Sequence, residues 1–242
     1  MIKLVQNLLT TLKVIKLTAN LSIQAIIKAV RKELNPKLVD EMLNVWSDKL
    51  CKIIKAKISI NNPNKIYPIH GQPTIILCNH ASLLDIPFSF QVFRKFSIRM
   101  LAKKELQSVP LMGRAMIAAG FPFINRKNRA KALEDLKIMK SLLKNNIVIW
   151  AYPEGTRSKN GKIQSLKKGI FISAIEMQAK LIPIYISGAH NMLGPNDWVI
   201  KTGGTIKINV GPEFGAEKYS VDNKDKLIGI IQDWFQKQEN TN

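Results

Sequence analysis

The sequence predicts an α/β fold: a mixed, mostly parallel sheet flanked by helices, with an N-terminal amphipathic helical segment in front of it. Two observations carry this. From Thr74 onward, short apolar runs of strand length alternate with stretches of helical period, the pattern of strands joined by helical crossovers. In addition, 46% of the 242 residues are hydrophobic, enough for one packed core and too many for a basic disordered arm. Charge adds a third constraint. The 37 Lys and Arg against 17 Asp and Glu leave a formal charge of +20, with a pI near 10.0. A folded body with that exterior seeks anions: nucleic acid, an anionic membrane face, or phosphorylated small molecules.

In the first thirty residues, Leu4, Leu8, Leu12, Ile15, Ile23, Ile26 and Val30 recur at helical steps on one face. Lys3, Lys13 and Lys28 point away, and Lys16 sits at the edge of the stripe, where its stem can snorkel. This is the pattern of a helix lying in a bilayer interface. Periodicity alone equally allows a helix packed on the chain's own core; the charge excess favours the membrane. No apolar run reaches the roughly eighteen residues of a spanning helix, and Lys13 and Lys16 break up what a cleavable leader needs. Residues 1–58 therefore read as a helical membrane-association segment and 59–242 as the α/β body. Cys51 and Cys78 are too few for a disulfide scaffold and lack zinc-site spacing, which suits a reduced, intracellular chain.

After Pro36, the stripe of Leu38, Met42, Val45, Trp46, Leu50 and Ile53 marks a second helix, and residues 61–73 read as strand and turn connections. Residues 74–78 form a buried strand, 83–93 a helix and 97–102 a strand. Residues 110–119 make a helix with Pro110 at its first position, closed by Gly120. Then come a strand at 121–124, a helix at 129–143, a buried strand at 147–152, a helix at 166–179 and a strand at 181–187. Gly203 and Gly204 separate the β-type runs 198–201 and 205–210, and residues 222–237 end the chain as an amphipathic helix.

The sharpest feature is Asn79-His80-Ala81-Ser82-Leu83-Leu84-Asp85, directly after the 74–78 strand. Open α/β sheets place their sites at such strand ends. If Ser82 caps the following helix, Asp85 lies about one turn on and reaches back to one imidazole nitrogen, leaving the other as a general base. A His with a nearby Asp is, taken alone, more often structural. Ser82 sits where a cap belongs, and no serine lies in a G-x-S-x-G elbow, so a serine hydrolase is discounted. Cys78 reads as a small buried hydrophobe. Two more strands end in anion-binding chemistry. Gly120-Phe121-Pro122-Phe123-Ile124-Asn125-Arg126 can present a guanidinium fork to a phosphate, although a short basic run is usually only a solvated turn. Tyr152-Pro153-Glu154-Gly155-Thr156-Arg157 offers a glycine turn, a hydroxyl and a second guanidinium. An ordinary β–α loop explains its Pro and Gly but not why His80, Arg126 and Arg157 all follow strands. His70 and His190 read as structural or solvent-facing, with His190 near a strand end.

These blocks, with Ile182-Pro183-Ile184, resemble the four ordered blocks of the glycerolipid acyltransferase family, and most closely its bacterial 1-acylglycerol-3-phosphate acyltransferases. The resemblance spans residues 65–215. Asn125 departs from the commoner Asp, and Tyr152 from the usual Phe. The resemblance implies an acyltransferase of phospholipid synthesis. His80 would take the proton of a lysophospholipid hydroxyl, oriented by Asp85, and the oxygen would attack an acyl thioester on coenzyme A or acyl carrier protein to give phosphatidic acid. Lys103, Arg126 and Arg157 would hold the acceptor's phosphate, and Glu154, Gly155 and Thr156 would shape the acceptor site. No metal or bound cofactor is implied. The expected partners are an anionic membrane surface, the lysophospholipid and the thioester carrier, at the cytoplasmic face of the inner membrane as a peripheral or monotopic protein. Another lyso-acceptor is the alternative within this chemistry. A nucleic-acid-binding protein is the alternative outside it, disfavoured because the basic residues are spread along the chain without a recognised motif.

Overall fold

The computed structural model of the chain describes residues 2–125 and 129–241. Helices α1 (Ile2–Val30) and α2 (Pro36–Ile53) come first. Asn35 caps α2, accepting the Leu38 N–H on its side-chain oxygen at 3.0 Å, and Pro36 occupies the first turn, where its missing N–H costs nothing. The buried side of α2 is Val39, Trp46, Leu50 and Cys51, while Val45 from the expected stripe is 50% exposed.

α1 packs on the core through the partly buried Val14, Leu17 and Leu21, not through the expected stripe. Its buried positions are Asn7, Ser22 and Ala25, whereas Leu4, Leu8, Leu12, Ile15 and Ile23 are 42–64% exposed. Thr11 accepts the Ile200 N–H at 2.9 Å, and Thr18 accepts the Trp46 indole N–H at 3.1 Å. Packing of the apolar stripe on the chain's own core, one of the two readings the periodicity allowed, is excluded by this exposure. Only Ile26 of that stripe turns partly inward.

The body follows as β1 (Lys57–Asn61), β2 (Thr74–Cys78), α3 (Asp85–Ser89), β3 (Ser97–Met100), β4 (Ala102–Lys103), α4 (Met112–Ala118) and β5 (Phe123–Ile124). Next are α5 (Arg129–Lys144), β6 (Ile147–Ala151), α6 (Lys168–Glu176), β7 (Lys180–Ser187) and α7 (Ala189–Met192). The last elements are β8 (Thr205–Val210), β9 (Phe214–Gly215) and α8 (Lys224–Thr241). The main sheet runs β1-β8-β7-β2-β6-β3, with β9 on β7 and a separate β4-β5 pair. The β1–β8, β7–β2, β2–β6 and β6–β3 pairs are parallel, while β7–β8 and β7–β9 are antiparallel. This is the mixed, mostly parallel sheet expected.

β2 is buried at every position because both its faces are covered. Ile76 and Cys78 join a core with Trp46, Leu50 and Phe88, on the side of α2 and α3. Ile75 and Leu77 join Met139, Phe171, Leu227 and Phe235, on the side of α5, α6 and α8. Arg99, 1% exposed on β3, ties α2 to this body. Its Nη1 meets Asp40 Oδ1 at 2.6 Å, and its other N–H groups donate to the Ala119 and Pro36 carbonyls.

Several elements differ from expectation. The helix expected over 83–93 is only α3: the loop before it is folded by side-chain bonds, and after Ser89 the backbone tightens into turns, with Gln91 N–H on Phe88 O and Val92 N–H on Ser89 O. The 110–119 helix starts at Met112, since Leu111 takes a left-handed φ of 59° that breaks the helix behind Pro110. The stop at Gly120 holds, with φ 74° and its N–H on Ile117 O at 3.0 Å. Residues 198–201 form no strand: their backbone bonds go to α1 and to Met192 rather than to the sheet.

Candidate active site

β2 ends at the sheet centre, between β6 and β7, and the chain then turns sharply at Asn79. The Asn79 side chain clips that turn to β7, accepting Ile186 N–H at 2.7 Å and donating to Ile186 O at 2.9 Å. Asp85, fully buried in the first turn of α3, reaches back over the loop. Its Oδ2 accepts Ala81 N–H and Ser82 N–H, each at 2.8 Å, and faces His80 Nδ1 at 3.0 Å. One carboxylate oxygen thus shapes the loop and fixes the Nδ1–H tautomer, which leaves Nε2 with a free lone pair. The His80 side chain is 15% exposed, so a substrate can reach it, while Asp85 is closed off.

Two potential nucleophiles beside His80 are unsuited to attack. The Ser82 hydroxyl donates to Leu193 O at 2.7 Å and accepts Leu84 N–H at 3.0 Å, so it braces the loop before α3 instead of capping that helix as expected, since α3 starts after Leu84 with no side-chain cap. Cys78 is fully buried, and burial pushes its thiol well above the ordinary range, away from the reactive thiolate.

The β6 loop supplies the other wall. In the β2–β6 register Leu77 pairs with Ala151, so Tyr152 leaves β6 level with the end of β2. Its ring stacks on the His80 imidazole with centroids 4.1 Å apart and planes at 21°. Ser89 donates its single proton to Asp85 O at 2.7 Å, so the Tyr152 hydroxyl, 3.2 Å away, donates to Ser89. Burial holds that phenol well above its ordinary pKa, keeping it a donor. Gly155 turns the chain at φ 79°, and Ser158 N–H closes the loop onto His80 O at 2.7 Å.

Glu154 faces inward. It is 1% exposed, with Oε1 accepting His80 N–H at 2.7 Å and Oε2 accepting Gln164 N–H at 3.0 Å. Burial pushes its carboxyl up from 4.5 to about 7 despite those two donors. Glu154 therefore shapes the site through the two loops it joins, not by lining the cleft. Thr156 is exposed and Arg157 half-buried, directly before Ser158. Lys103 is exposed on β4, where it pairs with Ile124 of β5, two residues before Arg126. Arg126 itself lies outside the described residues. His70 is exposed and stacks on Phe96; His190 is half-buried, with Nδ1 3.4 Å from Ala81 O behind the loop.

An oriented, reachable base beside two incompetent nucleophiles suits transfer to a hydroxyl carried by the substrate. A family model described as acyltransferase matches residues 57–187, more than half of the chain, and that span holds all four blocks. The chain belongs to the acyltransferase family. It is 35% identical over 117 residues to a 1-acyl-sn-glycerol-3-phosphate acyltransferase of Cocos nucifera, covering 48% of this chain and 38% of that one. With the enzyme of that name from Saccharomyces cerevisiae it is 33% identical over 165 residues, covering 67% of this chain and 54% of the relative. The chain spans about half the length of the relatives it matches. The crystal structure of a 1-acyl-sn-glycerophosphate acyltransferase from Thermotoga maritima shares the fold at a TM-score of 0.80 and 21% identity, over 98% of this chain and 95% of that one.

Sequence reasoning about this acyltransferase missed the stack beneath His80 and the inward turn of Glu154. A faint signal existed for the first: an aromatic residue at the end of the buried strand that pairs with the histidine's own strand. It needed the β2–β6 register to be read. No signal in the local sequence distinguishes a buried glutamate from one facing the cleft.

Proposed function

We propose that this acyltransferase transfers an acyl chain from an acyl thioester to the free hydroxyl of 1-acylglycerol-3-phosphate, yielding phosphatidic acid. One observation carries the reading: the His80–Asp85 pair at 3.0 Å, with the imidazole reachable and the carboxylate sealed. The names of the relatives supply the acceptor class. In the reaction, His80 Nε2 takes the hydroxyl proton as the oxygen attacks the thioester carbon. The imidazolium is held by the Asp85 carboxylate, and the proton then passes to the departing thiolate as the C–S bond breaks. Glu154 and Ser158 hold the His80 backbone, so the base is pre-positioned for an incoming acceptor. Lys103, Arg126 and Arg157 bind the acceptor's phosphate; the donor is acyl-CoA or acyl carrier protein, and no further cofactor takes part.

The membrane is the second partner. The outward leucines of α1, flanked by exposed Lys3, Lys13 and Lys16, suit an anionic phospholipid surface. No helix among the described residues is long and apolar enough to cross a membrane, and the reading is of a peripheral or monotopic protein on the cytoplasmic face of the inner membrane. In this reading α1 serves the membrane; α2, whose Trp46 and Leu50 join the core, and β1, which enters the sheet at Lys57, belong with the body that carries the chemistry, so the boundary expected between residues 58 and 59 moves back to the start of α2. The test is a purified-enzyme assay crossing both donors with several lyso-acceptors, wild type against His80→Ala. Turnover with lysophosphatidate falling by about 10²–10⁴-fold in the variant is expected. Variant activity near wild type defeats the base; equal rates with acceptors lacking the phosphate defeat the phosphate assignment.

A further inference from the structure

Trp198 is 91% exposed, more than any other large hydrophobic side chain among the described residues. The chain's other tryptophans, Trp46, Trp150 and Trp234, are buried or half-buried. An indole left in water on a loose loop would mean little. Residues 193–202, however, form a tied strap. At one end Leu193 O accepts the Ser82 hydroxyl at 2.7 Å, inside the catalytic loop. At the other, Ile200, 3% exposed, donates its N–H to Thr11 of α1 at 2.9 Å, and the Thr202 hydroxyl meets Asn7 Oδ1 at 3.4 Å. Between them Asp197 Oδ2 accepts Gly194 N–H at 3.0 Å and pairs with Lys201 Nζ at 3.5 Å, while Lys201 N–H bonds Met192 O at 2.8 Å. The strap holds Trp198 out in solvent beside the N-terminal half of α1, the helix whose own leucines face outward.

We propose that Trp198 is a second membrane anchor, seated at the headgroup level of the bilayer that receives α1. The inference rests on the membrane reading of α1 and adds to it a point of contact from the body of the enzyme. An indole has an apolar body and one N–H donor, which suits the interface better than either water or the acyl core. The charge of the helix to which the strap is tied fits an anionic surface: Lys3, Lys13 and Lys16 of α1 are exposed, while Lys201 beside Trp198 is balanced by Asp197. Because the strap joins Ser82 at one end and α1 at the other, seating Trp198 in lipid sets the height of the His80 loop above the membrane, where a lysolipid presents its headgroup.

The test uses the full chain with vesicles of mixed phosphatidylcholine and phosphatidylglycerol. Trp198 emission is taken as the difference between wild type and Trp198→Phe. Expected are a blue shift on vesicle addition, quenching by brominated lipids, and vesicle affinity about tenfold weaker in Trp198→Ala, from loss of an indole's apolar surface. Trp198→Ala should also slow turnover of vesicle-embedded lysophosphatidate while leaving turnover of a short-chain, water-soluble analogue unchanged. A second variant, Leu8→Glu with Leu12→Glu, tests α1. If wild type binds vesicles and this variant does not, yet Trp198 emission stays fixed and Trp198→Ala binds normally, the second anchor is overturned and the α1 reading stands. If wild type does not bind vesicles, both fall.

Discussion

Replacing Asp85 with Asn separates the shape of the catalytic loop from its charge. Asp85 Oδ2 accepts two backbone N–H groups at 2.8 Å, so the amide oxygen of the variant must take that place, since an NH₂ there would face two donors. The loop and the His80 tautomer then persist. The NH₂ falls where Oδ1 now sits, buried and without a hydrogen-bond partner among the described residues, at a stability cost of about 1–3 kcal/mol. What is lost in catalysis is the charge opposite the imidazolium. Hydrogen bonds to charged groups contribute about 1.5–3 kcal/mol against about 0.5–1.5 for neutral ones, so the loss, taken end against like end, is about 1–1.5 kcal/mol. That is roughly a five- to twelvefold fall in kcat/KM. Steady-state kinetics with a saturating donor, alongside thermal unfolding, measure both quantities. A variant that is less stable but keeps kcat/KM within about twofold of wild type would refute the electrostatic role and leave Asp85 as loop architecture.

Other expectations come from neighbouring residues. Glu154 binds its proton in the folded state up to about pH 7 but only up to 4.5 when unfolded, so its stabilising contribution is full below 4.5 and lost as pH rises through about 7. Glu154→Gln removes that slope. The stability gap of wild type over variant should shrink from pH 5 to 8 by up to about 3 kcal/mol in denaturant titrations, and a pH-independent gap would contradict it. Tyr152→Phe keeps the stack and loses only the bond to Ser89, whereas Tyr152→Leu loses the ring under His80. Leu should lower kcat by about three- to tenfold beyond Phe, the value of a cation–π contact with the imidazolium, with KM unchanged; equal kcat values would remove the stack from catalysis. Asp40→Ala strips the partner of Arg99, whose side chain is 2% exposed, and should cost about 3 kcal/mol, the low end for a broken buried pair because carbonyls still solvate the guanidinium. Asp48→Ala breaks the exposed Arg94 pair and should cost less than about 1 kcal/mol in the same unfolding assay.

The fold class and the placement of the chemistry were legible because both are written locally. Thr74–Cys78 is apolar at every position after Thr74, so it had to be a strand covered on both faces, and the His80 block follows it without a gap. Asp85 at five residues from His80 was within reach by chain geometry alone. Helix lengths were less legible. α3 starts late because Asp85 and Ser82 commit their side chains to the preceding loop, a competition that periodicity does not record.

The order of the His80–Asp85 pair and of the arginine-bearing blocks after apolar runs is read from residue type and spacing along one chain, and the roles proposed for them come from the family resemblance. Contacts made across the sheet cannot be read that way. Tyr152 comes under His80 only through the β2–β6 register, and Glu154 turns inward because two backbone N–H groups from separate loops converge on it. The same holds for α1. A helical period marks an apolar stripe but not which side of the helix the protein takes. That choice was made by Val14, Leu17 and Leu21, which pack on the core, together with the Ile200 N–H and the Trp46 indole, buried donors that found their acceptors in Thr11 and Thr18, and it left Leu4, Leu8 and Leu12 facing outward.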